Sequence, residues 1–101
     1  MTKFELKKIQ LAQYPAVSLD YRAELLRLCQ VSEEGVRAAE LPVYLGLATR
    51  LQGAEAEIVL SAEEHGLLLQ RLLGQRWNLI VPEILDFLRE FAEAGHGSDN
   101  Q

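Results

Sequence analysis

The sequence predicts an α+β fold that is dominated by about four helices and completed by a small two-stranded antiparallel ribbon. Leucine, which favours helix over strand, occurs nineteen times among the 101 residues. Two short segments alternate between apolar and polar residues, which is typical of half-buried strands. Longer segments carry apolar residues at helical spacing, and a chain of this length can bury a single core without staples.

The predicted strands are residues 3–11 and 56–60. In the first segment the apolar residues change parity near Lys7, so a bulge is needed there to keep them on one face. We expect the two strands to pair with each other, because an unpaired strand leaves its backbone groups unsatisfied. Lysines of one strand would then face glutamates of the other and add a modest attraction. These residues are Lys3, Lys7 and Lys8 on the first strand, and Glu55 and Glu57 on the second.

The first two helices are predicted from their caps and their apolar spacing. One is expected over residues 19–29, with Ser18 or Asp20 as its N-cap. The other begins at a proline and ends at a glycine, over residues 42–53. Within it, close packing by a neighbour would explain Gly46. The expected buried positions are Tyr21, Leu25, Leu28, Cys29, Val43, Tyr44, Leu47, Ala48 and Leu51.

The third helix starts at Ser61 and Glu64, which have the spacing of a capping box. Gly74 ends or bends this helix, and Trp77 is expected to plug the core from the connector. The fourth helix spans residues 82–95, from its opening proline to its closing glycine. The expected buried positions on these two helices are Leu68, Leu69, Leu72, Leu73, Ile84, Leu85, Leu88, Phe91 and Ala92.

Residues 1–95 are predicted to form one domain, and residues 96–101 a mobile polar tail. Residues 32–40 fit either a single helical turn or an irregular loop. The chain has no apolar run near the ~20 residues that a membrane span requires. Its single cysteine, Cys29, cannot form an internal disulfide, so a cytoplasmic location is expected.

No set of residues in the sequence predicts catalysis, a metal site or a cofactor site. His65, His96 and Cys29 are the only soft metal ligands, and no two of them have a ligand-like spacing. Cys29 falls on a buried helix face, where a cysteine behaves as a small hydrophobe. No glycine motif that cradles phosphate is present. The sequence therefore predicts a protein that is not an enzyme and takes no evident small-molecule ligand.

The charge is uneven along the chain, with a net value of −5. Residues 51–101 carry three basic and nine acidic residues, which disfavours a grip on the phosphate backbone of nucleic acid. Four acids of the last helix form its expected outer face, and they are the candidate surface for a partner protein. They are Glu83, Asp86, Glu90 and Glu93.

Several segments taken in order carry a family resemblance. They are Lys-Lys-Ile-Gln-Leu-Ala at 7–12, Leu-Asp-Tyr-Arg-Ala-Glu-Leu-Leu at 19–26, Glu-Ile-Val-Leu-Ser-Ala-Glu-Glu-His at 57–65, Arg-Trp at 76–77 and Ile-Leu-Asp-Phe-Leu at 84–88. In this order the chain resembles small, uncharacterised accessory proteins of bacteriophages and prophages. The resemblance implies an accessory protein of a virus or mobile element in a bacterial cytoplasm, and it assigns no functional residue.

The leading hypothesis from the sequence is a non-enzymatic protein-interaction or regulatory module. It binds a partner protein, with the acidic last helix as the candidate contact face, or it self-associates, for which the exposed edge of the ribbon is a natural place. One alternative is a dimeric nucleic-acid-binding regulator. Another is a structural or assembly component of a virus particle. The cations that the nucleic-acid hypothesis requires are Lys3, Lys7, Lys8, Arg22 and Arg27.

Overall fold

The computed structural model describes residues 1–99, and it describes side chains as far as Gly95. Within that range, four helices and four short strands confirm the mostly helical α+β class. A short 3₁₀ turn, Ala38–Glu40, lies in the segment that fitted either a turn or a loop. In chain order the elements are β1 (Thr2–Glu5), β2 (Lys8–Gln10), β3 (Ser18–Asp20), α1 (Tyr21–Gln30), α2 (Leu41–Gly53), β4 (Glu57–Leu60), α3 (Ala62–Gly74) and α4 (Pro82–Asp99).

The N-terminal segment forms two strands where one was predicted. Strand β1 pairs antiparallel with β4, which confirms the expected ribbon. Strand β2 pairs antiparallel with β3 in a second two-stranded sheet. The chain changes pairing partner at Leu6 and Lys7, where the apolar residues change parity. The parity change therefore marks a switch between two sheets, and the predicted bulge in a single strand is wrong.

The register of β1 against β4 does not produce the predicted lysine–glutamate attraction. Lys3 lies opposite Val59, and Glu5 lies opposite Glu57. The two facing glutamates are exposed, and like charges in this arrangement are mildly destabilising. Lys7 pairs instead with a glutamate of α4.

The first two helices form largely as predicted. The Asp20 carboxylate accepts a hydrogen bond from the Ala23 N–H and caps α1. Helix α2 has a proline in its first turn and ends at Gly53. The predicted faces are buried, except that Val43 is half-buried. The packing explanation for Gly46 is wrong, because a Cβ built there has no atom within 4 Å.

The capping box of α3 is present with both of its hydrogen bonds. The Ser61 N–H donates to Glu64 Oε1 over 2.8 Å, and the Glu64 N–H donates to Ser61 Oγ over 3.1 Å. The helix ends at Gly74, which confirms the first of the two alternatives, an end or a bend at this glycine. Leu73, however, is exposed near this end, so its predicted burial is wrong.

Helix α4 differs from the prediction in its length and in its orientation. It continues past Gly95 to Asp99, so the predicted stop is wrong. Leu85 is exposed and Phe87 is fully buried, which reverses the expectation for Leu85. Of the predicted tail, residues 100 and 101 lie outside the described part of the chain.

Six aromatic rings form a continuous series through the core. They come from β1, α1, α3, α4 and the connector before α4, so the series joins most of the elements. Trp77 meets the series at one end, half-buried in the connector as predicted. The centroid distances are 6.4 Å for Trp77–Phe87, 4.3 Å for Phe87–Tyr21, 5.7 Å for Tyr21–Phe4, 4.8 Å for Phe4–Phe91 and 4.6 Å for Phe91–His65.

Among the described residues, none of the helices combines the length and the apolar character that crossing a bilayer demands.

Candidate functional site

Two of the four acids predicted as a partner surface are used inside the molecule. Glu83 Oε2 accepts a hydrogen bond from the Ala12 N–H over 2.9 Å. Glu90 Oε1 lies 3.3 Å from Lys7 Nζ. Burial, and secondarily the Glu90 carboxylate, raise the pKa of the Tyr21 hydroxyl. These contacts join α4 to the N-terminal segment beside strands β1 and β2, across more than seventy residues of sequence.

The other two acids lie at the surface of α4. Asp86 forms a long surface pair with Arg89, at 3.6 Å, and Glu93 is exposed. An exposed pair of this kind contributes little to stability. The predicted surface is thus divided between acids that hold the fold together and acids that face solvent.

The soft ligands considered in the sequence lie apart from one another. His65 is buried, and its Nε2 lies 2.7 Å from the Phe91 carbonyl oxygen at the contact between α3 and α4. Cys29 is buried, and desolvation raises the pKa of its thiol to about 11, although Arg71 opposes the shift. The side chain of His96 lies outside the described residues. Within the described part, no group of three His, Cys, Asp or Glu residues could hold a metal ion.

An apolar concavity, which we call the docking groove, lies where α1 ends and α2 begins. It has a volume of about 320 Å³. Three of its lining side chains are unusually exposed for apolar residues: Val31 by 64%, Leu41 by 48% and Leu45 by 67%. Its full lining is Leu28, Cys29, Gln30, Val31, Ser32, Val36, Leu41, Tyr44, Leu45, Ala48 and Arg71.

The loop after α1 builds one wall of the docking groove. Val31 leaves the helix in an extended conformation, with φ −135° and ψ 135°. Gly35 has a φ of 81°, a left-handed conformation that glycine adopts without the steric cost of a Cβ. The Ser32 hydroxyl donates to the Gly35 carbonyl oxygen over 3.2 Å and closes the turn. The chain then re-enters through the 3₁₀ turn into α2, so Val36 and Leu41 line the same groove.

Among the described residues that line the docking groove, Arg71 of α3 is the only charged side chain. Its Nη2 donates to the Val31 carbonyl oxygen over 2.8 Å, and its guanidinium carbon lies 5.1 Å from the centroid of the Tyr44 ring. Across the described residues, Arg71 has no ion pair, and its Nε is buried without a hydrogen-bond partner. The groove thus contains a half-buried cation that only neutral groups contact.

A second concavity, of about 240 Å³, lies beside Trp77 between α1 and the start of α4. Two of the three charged side chains that line it, Glu24 and Arg27, pair with each other, and the third is Arg76. Arg27 Nη2 lies 2.5 Å from Glu24 Oε2, and Gln75 Nε2 lies 3.5 Å from the same oxygen. Because its principal ion pair is satisfied within the chain, this concavity offers less for recognition than the docking groove does.

The sequence reasoning missed the docking groove, although part of the signal was present. Leu41 and Leu45 are one helical turn apart and lie off the buried stripe of α2. An apolar pair on the solvent side of an amphipathic helix indicates a contact surface. The role of Arg71 had no such signal, because its neighbours Val31 and Tyr44 come from other elements.

No protein-family model, curated protein or solved structure matches this chain. The resemblance to phage proteins therefore stays a prediction, and the function is argued from the geometry of the docking groove.

Proposed function

We propose that this chain is a non-enzymatic protein-interaction module whose docking groove binds an amphipathic helix of a partner protein. The observation that carries the proposal is the exposure of Val31, Leu41 and Leu45 around one apolar concavity. Exposed apolar side chains are ordinary when they are scattered singly, whereas a contiguous group around a concave surface marks a place of contact.

The shape of the docking groove favours a helix over an added strand. Its walls are the end of α1, the start of α2, their connecting loop and one residue of α3, and none of its lining residues belongs to a strand. A partner strand would therefore find no sheet edge to extend there. The groove volume, about 320 Å³, is near the lower end of the ~300–1,000 Å³ that is common for ligand pockets. A few apolar side chains on one face of a helix suit such a space.

The nucleic-acid hypothesis gains no geometric support. Of the cations it requires, Lys7 pairs with Glu90, and Arg27 pairs with Glu24. Arg22 donates through Nη2 to the Glu55 carbonyl oxygen over 2.6 Å. Lys3 and Lys8 are exposed, but these two lysines alone are fewer than the clustered cations of a patch that grips phosphates.

A reducing cytoplasm suits the proposed module, because its one cysteine is a buried thiol. A phage or prophage origin and a role in a virus particle remain predictions from the sequence. Neither is required for the groove to bind a helix.

The test is a selection of displayed 12- to 20-residue peptides on the purified protein. Selected peptides should lose at least tenfold in affinity when Leu45→Glu places a charge in the docking groove. Leu85→Glu changes another exposed leucine, on α4 and outside the groove, and this matched control should bind as the unaltered protein does. Peptides that bind all three proteins equally would contradict the proposal.

A mass measurement across a range of concentrations separates the partner helix from self-association. A monomer at all concentrations agrees with a groove that awaits another protein. A dimer that Leu45→Glu dissociates would show that a second copy occupies the groove, and the proposal of a separate partner would then be wrong.

A further inference from the structure

We propose that the docking groove selects a partner helix that carries a carboxylate beside its apolar anchor residues, and that Arg71 recognises this carboxylate. The inference rests on the proposed function and adds the chemistry of the partner to it.

The first argument is the unbalanced charge of Arg71. Burying a charge is unfavourable unless an opposite charge or strong hydrogen bonds compensate for it. Arg71 contacts the Val31 carbonyl oxygen and both the ring face and the hydroxyl of Tyr44, and all of these groups are neutral. No carboxylate in the described chain lies within ion-pair distance of it. By contrast, three arginines each pair with a carboxylate, namely Arg27, Arg50 and Arg89. Arg22 donates to two carbonyl groups.

The second argument is the unused donor of the same side chain. Arg71 Nε is buried and has no hydrogen-bond partner within the described residues. A guanidinium binds a carboxylate through two parallel N–H groups, and this geometry adds direction as well as energy. A carboxylate at the rim of the docking groove would satisfy the unused donor when the flexible stem of Arg71 turns toward it. Neutral apolar anchors alone would leave that donor without a partner.

The acids near the docking groove indicate on which side of it the carboxylate of the partner helix can bind. Glu33 and Glu34 lie in the loop between the lining residues Ser32 and Val36, and Glu40 immediately precedes α2. These three acids outnumber the one cation of the loop, Arg37, so the loop side of the groove is net negative and disfavours an anion. The carboxylate of the partner therefore belongs at the α3 side, beside Arg71.

The experiment uses the peptides selected on the unaltered protein. The enriched sequences should contain an aspartate or glutamate within one helical turn of two apolar residues. Changing that acid to its amide should weaken binding at least tenfold. Arg71→Met, which keeps the apolar stem without the charge, should cause a similar loss, and the two changes together should add little to either one.

Arg71→Lys is the matched variant, because it keeps the charge without the planar fork, and it should recover only part of the affinity. Peptides that require Leu45 but bind Arg71→Met within twofold would overturn the carboxylate inference and leave the proposed function intact. Enriched peptides that lack an acid would overturn it as well. Should Arg71→Met fail to fold, the acid-to-amide peptides on the unaltered protein still decide the matter. If no selected peptide depends on Leu45, the proposed function itself fails.

Discussion

His65 and Phe91 are joined twice, by a 2.7 Å contact between the imidazole Nε2 and the Phe91 carbonyl oxygen and by stacking of their rings at 4.6 Å. In an α-helix the same carbonyl is the acceptor for the N–H of residue 95, which is glycine here. A Cβ at that position would lie 2.6 Å from His65 Cε1. Gly95 is therefore needed for the imidazole of α3 to reach the backbone of α4.

Gly95→Ala should destabilise the protein by about 1–3 kcal/mol, because the added methyl overpacks the contact with His65. This loss should appear although alanine is the better helix former. Denaturant unfolding followed by circular dichroism measures it. In a His65→Ala background the same change should be neutral or stabilising, and an equal loss in both backgrounds would contradict the explanation.

Gly46→Ala should have the opposite sign. The position is exposed within α2, and a Cβ there meets open space. Alanine is favoured over glycine in a helix interior by about 1 kcal/mol, so the free energy of unfolding should rise by roughly that amount. Thermal and denaturant melts would show the gain. A loss of stability would mean that an unrecognised neighbour packs against this face of α2.

Charge reversal on α4 should divide the predicted acidic face into two classes. Glu83→Lys and Glu90→Lys should each destabilise the fold by about 1 kcal/mol, because they remove partly exposed, charge-assisted contacts to the Ala12 N–H and to Lys7.

The matched reversals Asp86→Lys and Glu93→Lys should change stability by less than about 0.5 kcal/mol, because their side chains face solvent. Melting curves of the four single variants compare the classes directly. Equal changes in all four variants would show that the contacts of Glu83 and Glu90 do not stabilise the fold in solution.

The buried thiol of Cys29 predicts a loss of stability at alkaline pH. Its pKa is raised from 9.0 to about 11, so above pH 9 the unfolded chain releases this proton before the folded chain does. The unfolded state then binds fewer protons, and stability falls as pH rises from 9 toward 11. Cys29→Ala should flatten this decline in denaturant melts between pH 8 and 10.5. Parallel declines in both proteins would assign the effect to other groups.

The starts of the first three helices could be predicted because their causes are local. The Asp20 cap, the Ser61 capping box and the proline in α2 each act within a few residues of sequence, and the structure places all three as expected. The buried face of α1 followed for the same reason, since apolar spacing alone defines one stripe on a short helix.

The remaining features depend on contacts between distant segments. The parity change near Lys7 was visible in the sequence, but the choice between a bulge and a second sheet depends on β3, which lies farther along the chain. Phe87 rather than Leu85 faces the core because Phe4 and Tyr21 pack there. Arg71 could not be identified as an unpaired cation from the sequence, because its neighbours come from α1 and α2 and are known only once the three helices are in position.

The aromatic series also affects when the core can form during translation. Phe4 of β1 packs on Phe91 of α4, and β1 pairs with β4 from the other half of the chain. During translation β1 leaves the ribosome well before either of these elements exists. Its phenyl ring therefore lacks Phe87 and Phe91 as packing partners until α4 emerges, and an incompletely packed apolar segment is open to chaperones during synthesis.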